Sequence, residues 1–473
     1  MAGTFVVGEQ KVRPGSYFNI QKKEKNAYSG IINGVTAVVF KSDFGPLCSC
    51  LELNVENGES YESIFGTEGT TDAMKEAIRG GAKTIIACRV GKGGSQAEIV
   101  LNDADGAEAV KITALYPGKK EFTVTIREKL TDLTVKECII YSGIKEYEKV
   151  EFASGEGEAA ALAKELGTSK RFKVQAVEGK EAAMLENVSQ KAFTAGTDPT
   201  VTTDDYSDAF AKVEAYEFNT ICVDTEDTAV HLLLAEFLDR IFDAGSLAQM
   251  VIAEKHTVDL ETRQKHAAAF NDEKINYVLN AHISEQGVEI DGYQTAARIA
   301  GMIGACESNN SLTHTVITGF TEILERLTNT QIVVSEKMGC IVLTYNSEKQ
   351  VWIDSAINTL ITPAENQDDG WKKIRRVKTR FELIRRISNV TENLIGKVDN
   401  DGNGRSTVIS QIQAIGDAMV AESKLTSCKV SESADYVADV DSAWFDVDVI
   451  DKDSMEHIYL TFKFQFSTLS TVE

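Results

Sequence analysis

Large apolar and polar side chains alternate along the last segment of the chain, "HIYLTFKFQFS", residues 457–467. One face of this period-two pattern carries Leu460, Phe462, Phe464 and Phe466, and the other face carries polar residues. Such alternation predicts a half-buried β-strand. An unpaired apolar strand promotes aggregation. We therefore expect the strand either to fold back onto its own domain or to pair with another molecule.

Between Phe193 and Trp352 the pattern switches repeatedly between strand-like and helix-like periods. The segments "FNTICVD", "AQMVIAE", "INYVLNA" and "CIVLTY" are short and apolar, and stretches such as "TAVHLLLAEFLDRIFDAG" with an apolar helical stripe separate them. Alternating strands and helices predict a mainly parallel sheet with helices packed on its faces.

Residues 97–192 show a different pattern. The segments "AEIVLND", "AVKITALYP", "EFTVTIREK" and "LTVKECIIYS" are short, β-type and joined by turns rich in Gly, Asp and Lys. This spacing predicts a small inserted β-sandwich. Before it, "GVTAVVF" predicts a strand, and "TTDAMKEAIRGG" predicts a helix capped by Thr70 or Thr71 and stopped by Gly80.

After Ile353, two long helices are predicted at roughly 370–395 and 406–423, followed by the β-type segment "WFDVDVI". The fold class is therefore an α+β multidomain protein with an α/β core. The predicted order is an N-terminal extended arm (1–30), the first part of the core (31–96), the inserted sandwich (97–192), the main core (193–355), a helical and β inner domain (356–455) and a C-terminal strand arm (456–473).

Composition narrows the class of protein. A chain of 473 residues with 43% hydrophobic content predicts several domains with large cores. No run of about 18 apolar residues predicts a membrane span, and the N-terminus lacks the pattern of a signal peptide. The eight cysteines are scattered and mostly lie in apolar runs, which predicts free thiols in a reducing cytoplasm. A net charge of −23 argues against nucleic-acid binding.

One segment runs against this acidity. The stretch "WKKIRRVKTRFELIRR", residues 371–386, carries eight Lys or Arg residues against one Glu. Its apolar residues recur at helical spacing and form a stripe. Most of its cations fall off this stripe, among them Lys372, Arg375, Arg376, Lys378, Arg380 and Arg386. They predict either a solvated helix face or an electrostatic contact to an acidic partner.

Motifs for metal, phosphate and catalytic sites are incomplete. "DNDGNGRSTVIS" begins like a calcium loop at Asp399, but Ser410 holds the place where a bidentate Glu is required. We interpret it as a polar turn joining two helices. "GKGGS", residues 91–95, has Ile86 where a phosphate loop needs Gly. The six histidines lack the HExxH spacing, and no GxSxG motif occurs. The sequence predicts no cofactor, no metal site and no catalytic residue.

Eight strings, in order, resemble the contractile tail sheath proteins of bacteriophages and phage-derived particles, in the shorter form typical of Gram-positive prophages. They are "RPGSYFNI", "GVTAVVFKSDFGPL", "ITALYPGKKEFTVTI", "FTAGTDPTVTTDDYSDAF", "RIAGMIGACESNNSLTHTVI", "VWIDSAINTL", "LIGKVDNDGNGR" and "MEHIYLTFKF". Lys120 and Glu121 stand where the family commonly has Gly-Asn, a departure that affects one local turn.

The resemblance implies a non-enzymatic structural subunit. Such subunits stack as hexameric rings around an inner tail tube, and contraction drives the tube through the target cell envelope. It further implies that both arms add strands to neighbouring subunits. The residues concerned here are Tyr17, Phe18, Ile20, Ile458, Leu460, Phe462, Phe464 and Phe466.

The uneven charge suggests a hypothesis of its own, that the basic helix contacts the tube through Lys372, Lys373, Arg375, Arg376, Lys378 and Arg380. The expected partners are other copies of this chain, the inner tube protein, and baseplate and tail terminator proteins, but neither nucleic acid nor a membrane. The expected location is a virion or phage-tail-like particle, after synthesis in the bacterial host cytoplasm.

The competing hypothesis is a cytosolic α/β enzyme with an inserted β domain. It predicts a polar pocket at the carboxyl ends of the strands, near Asp224 or Asn280, and a small discrete oligomer.

Overall fold

The computed structural model describes residues 3–4, 17–18 and 33–465, and it has the mixed α/β architecture with several sheets that the sequence predicts. The first elements are β1 (Gly3–Thr4), β2 (Tyr17–Phe18), β3 (Val35–Phe40), β4 (Cys50–Asn54), α1 (Glu62–Phe65), α2 (Asp72–Arg79) and β5 (Thr84–Arg89). Helix α2 has the predicted bounds, after Thr71 and before Gly80, but the Thr71 side chain makes no capping hydrogen bond. Thr70 instead donates its hydroxyl proton to Asp224.

The next elements form two antiparallel sheets around one apolar cluster. They are β6 (Gln96–Asn102), β7 (Glu108–Pro117), β8 (Thr123–Lys129), β9 (Asp132–Ser142), β10 (Lys145–Ala153), α3 (Glu158–Leu166), β11 (Phe172–Ala176) and β12 (Val188–Ala192). Their strand orders are β10-β9-β8-β12 and β11-β7-β6. Rings of Phe44, Phe122 and Phe172 meet edge to face in the shared cluster. The domain boundaries at 97 and 192 stay predictions.

A seven-stranded sheet forms the centre of the molecule. Its further elements, with the flanking hairpins, are α4 (Thr203–Val213), β13 (Thr220–Val223), α5 (Thr228–Asp243), β14 (Gln249–Ala253), α6 (Leu260–Phe270), β15 (Ile275–Val278), β16 (His282–Ser284), β17 (Glu289–Ile290), α7 (Gly292–Ala305), β18 (Phe320–Ile323), α8 (Asn329–Lys337), β19 (Cys340–Ile341), β20 (Leu343–Tyr345) and β21 (Val351–Ile353). The strand order is β19-β15-β14-β13-β3-β5-β4, and every neighbouring pair is parallel except β5 with β4.

Alternation along the central strands places apolar side chains on both faces of this sheet. In β3, Val38 and Phe40 join the cluster that includes α2 and α7, whereas Ala37 and Val39 join the cluster that includes α4 and α5. Both faces are therefore covered by helices, as a parallel sheet requires.

The last elements pack as two helices against a hairpin. They are a 3-10 helix (Asp369–Lys372), α9 (Ile374–Glu392), α10 (Gly402–Ala421), β22 (Leu425–Glu432) and β23 (Phe445–Asp451). Helix α10 begins four residues earlier than predicted because Asp401 accepts a hydrogen bond from the Gly404 amide and caps the helix. No helix among residues 33–465 has the length and apolar character needed to cross a membrane.

Candidate assembly surfaces

The C-terminal segment after Glu456 does not fold back onto the chain. Residues 452–465 form no strand, so the strand predicted there is absent from the single chain over the described positions. Side chains of both faces are exposed. On the apolar face the exposed fractions are 69% for Ile458, 71% for Leu460, 72% for Phe462 and 84% for Phe464. Phe466 lies outside the described residues. The apolar face has no partner within the described chain to cover it.

Ion pairs between side chains hold the start of this segment against the body of the protein. Lys373 contacts Asp453 at 2.8 Å and Glu456 at 3.0 Å. Burial alone would lower the pKa of Lys373, but its hydrogen bonds to these two carboxylates raise that pKa above its ordinary value. Glu456 also accepts hydrogen bonds from Ser311 and Thr313. The segment therefore leaves the body of the protein just after Glu456.

The hairpin of β22 and β23 forms a sheet of only two strands, so each strand has an outer edge. The outer edge of β22 is closed by a side chain of helix α10. Gln413 donates from Nε2 to the Cys428 carbonyl at 2.9 Å and accepts from the Val430 amide at 3.0 Å. One amide side chain thus satisfies the groups that a further strand would use.

The register of the hairpin also shows that the outer edge of β23 is free to accept a further strand. Cys428 faces Val449, and Val430 faces Val447. Because the backbone groups of Cys428 and Val430 point away from β23, these are non-hydrogen-bonded pairs, and the amides of Val447 and Val449 point away from β22. Only one edge of the hairpin therefore offers unpaired backbone groups near these positions.

An apolar groove of about 610 Å³ runs beside this open edge. Helix α9 contributes Phe381, Ile384 and Ile387 to one wall, and Val447 and Val449 belong to the other. This volume lies in the range of pockets that enclose drug-sized ligands. The groove can accommodate several large apolar side chains next to a strand edge.

The cations of the basic helix are largely engaged inside the chain. Arg376 holds both oxygens of Asp451 at 2.8 and 2.7 Å, and this hydrogen bonding raises the pKa of Arg376. Arg380 approaches Asp451 to 3.3 Å and stacks 4.0 Å from the ring centre of Trp371, while burial lowers the pKa of the Arg380 guanidinium. These contacts hold the end of β23 against α9.

The other cations of this group differ in exposure. Lys378 is half-buried and donates to the Ile303 and Cys306 carbonyls at the end of α7, and desolvation of its amine lowers its pKa to about 8. Arg375 is buried, and Lys372 lies 3.8 Å from Asp369. The segment is thus a helix rich in cations, as predicted, but most of these cations bind groups within the same chain. Contact with a tube stays a prediction.

The two positions of the enzyme hypothesis are occupied by structural hydrogen bonds. Asp224 accepts from the Tyr206 hydroxyl and from the Lys41 amide. Asn280 accepts from the Leu343 amide at 2.9 Å. Among the described residues, no group of three or more His, Cys, Asp or Glu side chains is arranged to hold a metal ion.

The predicted N-terminal arm is only partly described. Tyr17 and Phe18 form β2, which pairs in parallel with β1. Ile20 lies outside the described residues. The sequence did not single out Gln413, which closes the outer edge of β22, or Asp451, which holds the end of β23 against α9, and neither role has a local sequence signature.

Comparison with known proteins relates the central part of the chain to a protein family. Residues 200–359 match the family described as phage tail sheath protein central domain. The chain is 26% identical over 396 residues to the protein YqbK of Bacillus subtilis strain 168, and this match covers 79% of each chain. It is also 26% identical over 386 residues to the phage-like element PBSX protein XkdK of the same strain, covering 80% of this chain and 79% of XkdK.

Solved structures show the same fold. The sheath tail protein of Desulfitobacterium hafniense superposes with a TM-score of 0.70 at 18% identity, over 93% of this chain and 100% of that one. The helical sheath of the anti-feeding prophage in its contracted state superposes with a TM-score of 0.52 at 12% identity, over 96% of this chain and 99% of that one. The resemblance drawn from the eight sequence strings is confirmed.

Proposed function

We propose that this chain, a contractile tail sheath protein by its central domain and fold, is the subunit of stacked hexameric rings around an inner tail tube. In this proposal, contraction of the stack drives the tube through the envelope of a target cell. The observation that supports it is a pair of complementary surfaces on one chain. An exposed apolar segment lies after Glu456, and an open strand edge with an apolar groove lies beside β23.

The segment and the groove suit each other chemically. When the segment of one copy pairs with the β23 edge of another, its alternating apolar face turns into the groove wall formed by α9. Burying each of Leu460, Phe462 and Phe464 contributes about 1.5–3 kcal/mol. Ordering the paired residues costs about 1–2 kcal/mol for each residue, so a single joint is weak.

Many joints in one lattice hold together for a different reason. Once two subunits share one contact, each further contact forms at a high effective concentration. The ion cluster at Lys373 fixes where each arm begins, and the residues after it are free to change direction. Arms of this kind can keep subunits connected while the folded cores move between an extended and a contracted arrangement. This function needs no catalytic residue and no cofactor.

Contact with the inner tube is a further part of the proposal. Helix α9 carries the candidate residues, but reversing Arg376 or Arg380 would also release Asp451 and disturb the open edge. Lys372 is the better probe, because its nearest anionic partner is the well-exposed Asp369 at 3.8 Å. Lys372→Glu should weaken co-assembly with tube and leave self-assembly intact. Baseplate and terminator proteins would bound the stack at its ends.

The first test is negative-stain electron microscopy of the purified chain beside a truncation that ends at Glu456. We expect tubes from the full chain and none from the truncation. Phe462→Ser with Phe464→Ser should behave like the truncation, whereas Lys463→Gln, on the opposite face, should form tubes. Tubes from the truncation would refute the role of the arm. Small uniform particles from every sample would refute the sheath function.

A substitution in the acceptor strand tests the other half of the joint. Val449→Pro removes an amide that points away from β22, so the hairpin ladder survives while strand addition is blocked. Normal tubes from this variant would show that the arm pairs elsewhere.

A further inference from the structure

Strand β4 is the end strand of the seven-stranded sheet, and it places two cysteines side by side. Cys50 in β4 lies directly opposite Cys88 in β5. In the same ladder the Val55 amide donates to the Lys83 carbonyl, which makes that pair hydrogen-bonded. Pairs alternate along an antiparallel ladder, so Cys50 and Cys88 form a non-hydrogen-bonded pair, with Cα atoms about 4.5 Å apart.

That separation suits a covalent link between the two side chains. Disulfides bridge Cα atoms about 4.4–6.8 Å apart. Both residues are free thiols, and both point into the apolar cluster beneath α4. The pairing is specific within the sheet, because Cys222 lies opposite Val38 and Cys340 lies opposite Tyr277.

The two thiols are chemically unequal. The neighbouring Cys88 thiol lowers the pKa of Cys50, whereas the Cys50 thiol and burial raise the pKa of Cys88. A thiolate is the form that reacts with oxidants. A low-pKa cysteine beside a second cysteine is the arrangement in which a first oxidation product is resolved as a disulfide.

We propose that Cys50 and Cys88 are an oxidation site that hydrogen peroxide converts to an intramolecular disulfide. The Cys50 thiolate attacks one peroxide oxygen, the O–O bond breaks, and after protonation the products are a Cys50 sulfenic acid and one water. The Cys88 sulfur then attacks the Cys50 sulfur, an S–S bond forms, and the sulfenic oxygen leaves as a second water. Two thiol sulfurs are oxidised, two peroxide oxygens are reduced, and both thiol protons end in water.

The disulfide would link the end strand β4 covalently to its neighbour β5. Strand β4 has β5 as its one neighbouring strand in this sheet, and it leads into the short helix α1. The disulfide closes the chain between Cys50 and Cys88, which restricts the unfolded state. A protein made in a reducing compartment would gain resistance to unfolding when it reaches an oxidising one.

Trypsin digestion of the folded, full-length protein tests this directly. The protein is exposed to hydrogen peroxide, remaining thiols are alkylated, and the digest is analysed without reduction. Cleavage after Lys41, Lys75, Lys83 and Arg89 gives peptides 42–75 and 84–89, which carry Cys48 with Cys50 and Cys88 respectively. We expect one linked species of these two peptides, lighter than their sum by two hydrogen atoms and split by dithiothreitol.

Fragmentation of the linked species identifies the sulfur involved, so the test does not depend on variants that fold. A bond at Cys50 supports the proposal, and a bond at Cys48 overturns it. As controls, Cys48→Ala and Cys306→Ala should keep the link, whereas Cys88→Ala should lose it. The oxidised wild type should also unfold at a temperature several degrees higher. Full alkylation of both peptides after peroxide treatment would overturn the proposal.

Discussion

Gln413 is predicted to control which edge of the β22–β23 hairpin can accept another strand. Its amide bonds to the Cys428 carbonyl and the Val430 amide, and it also donates to Asp417 at 2.8 Å. Gln413→Ala removes both bonds to β22 and puts no other partner in their place. A neutral hydrogen bond contributes about 0.5–1.5 kcal/mol net, so the loss amounts to about 2 kcal/mol for the two bonds.

This loss should appear as faster local opening of β22. A change of about 2 kcal/mol corresponds to roughly a 30-fold increase in the exchange rate of protected amides. Native-state hydrogen exchange with mass spectrometry measures that rate in peptides that span β22, while peptides from β13 to β15 report on the unaffected core. Gln411→Ala is the matched control, because Gln411 is exposed on the same helix.

The assay also separates geometry from charge. Gln413→Glu keeps an acceptor for the Val430 amide but places a carboxylate oxygen against the Cys428 carbonyl, so its exchange rate should fall between wild type and Gln413→Ala. Unchanged exchange of β22 in Gln413→Ala would refute the reasoning, because the edge would then be closed by something else. Equal effects of Gln411→Ala would show that helix α10, rather than the two hydrogen bonds of the Gln413 amide, carries the stability.

Two further expectations concern ions and pH. Asp451→Asn keeps the shape but removes the charge that Arg376 and Arg380 share, so β23 should lose about 2–4 kcal/mol of local stability and its amides should exchange faster; unchanged exchange at β23 would contradict this. Burial lowers the pKa of His231 to about 4. Since the unfolded state takes up a proton below about pH 6.5 and the folded state does not, stability should fall as pH falls from 6.5 towards 4, with about 2 kcal/mol lost by pH 5. Thermal unfolding of wild type and His231→Asn at pH 7 and pH 5 measures this, and an equal pH dependence of the two would contradict it.

Local features of the fold could be predicted from the sequence because they depend on neighbouring residues. Helix α2 lies between Thr71 and Gly80. The two ends of a helix depend on residues within about one turn of each end, so they can be predicted locally. The short apolar runs form strands of the seven-stranded sheet. A continuous apolar run suits such a strand, because helices bury its side chains on both faces of a parallel sheet. The eight strings with the tail pattern were enough to identify the family resemblance, although only residues 200–359 match its central-domain family.

The sequence by itself determined the periods, the bounds of helix α2 and the presence of an apolar C-terminal segment, whereas the tertiary structure decided what each charged or polar side chain does. The cations of α9 looked available in the sequence, but Asp451 lies 75 residues after Arg376 and only the fold brings them together. Gln413 resembles any exposed glutamine until α10 packs beside β22. The hydrophobic period and the ends of a helix depend on residues within about one turn. The contacts of a charged or polar side chain depend on which surfaces the packed chain brings together, and this is a property of the whole fold.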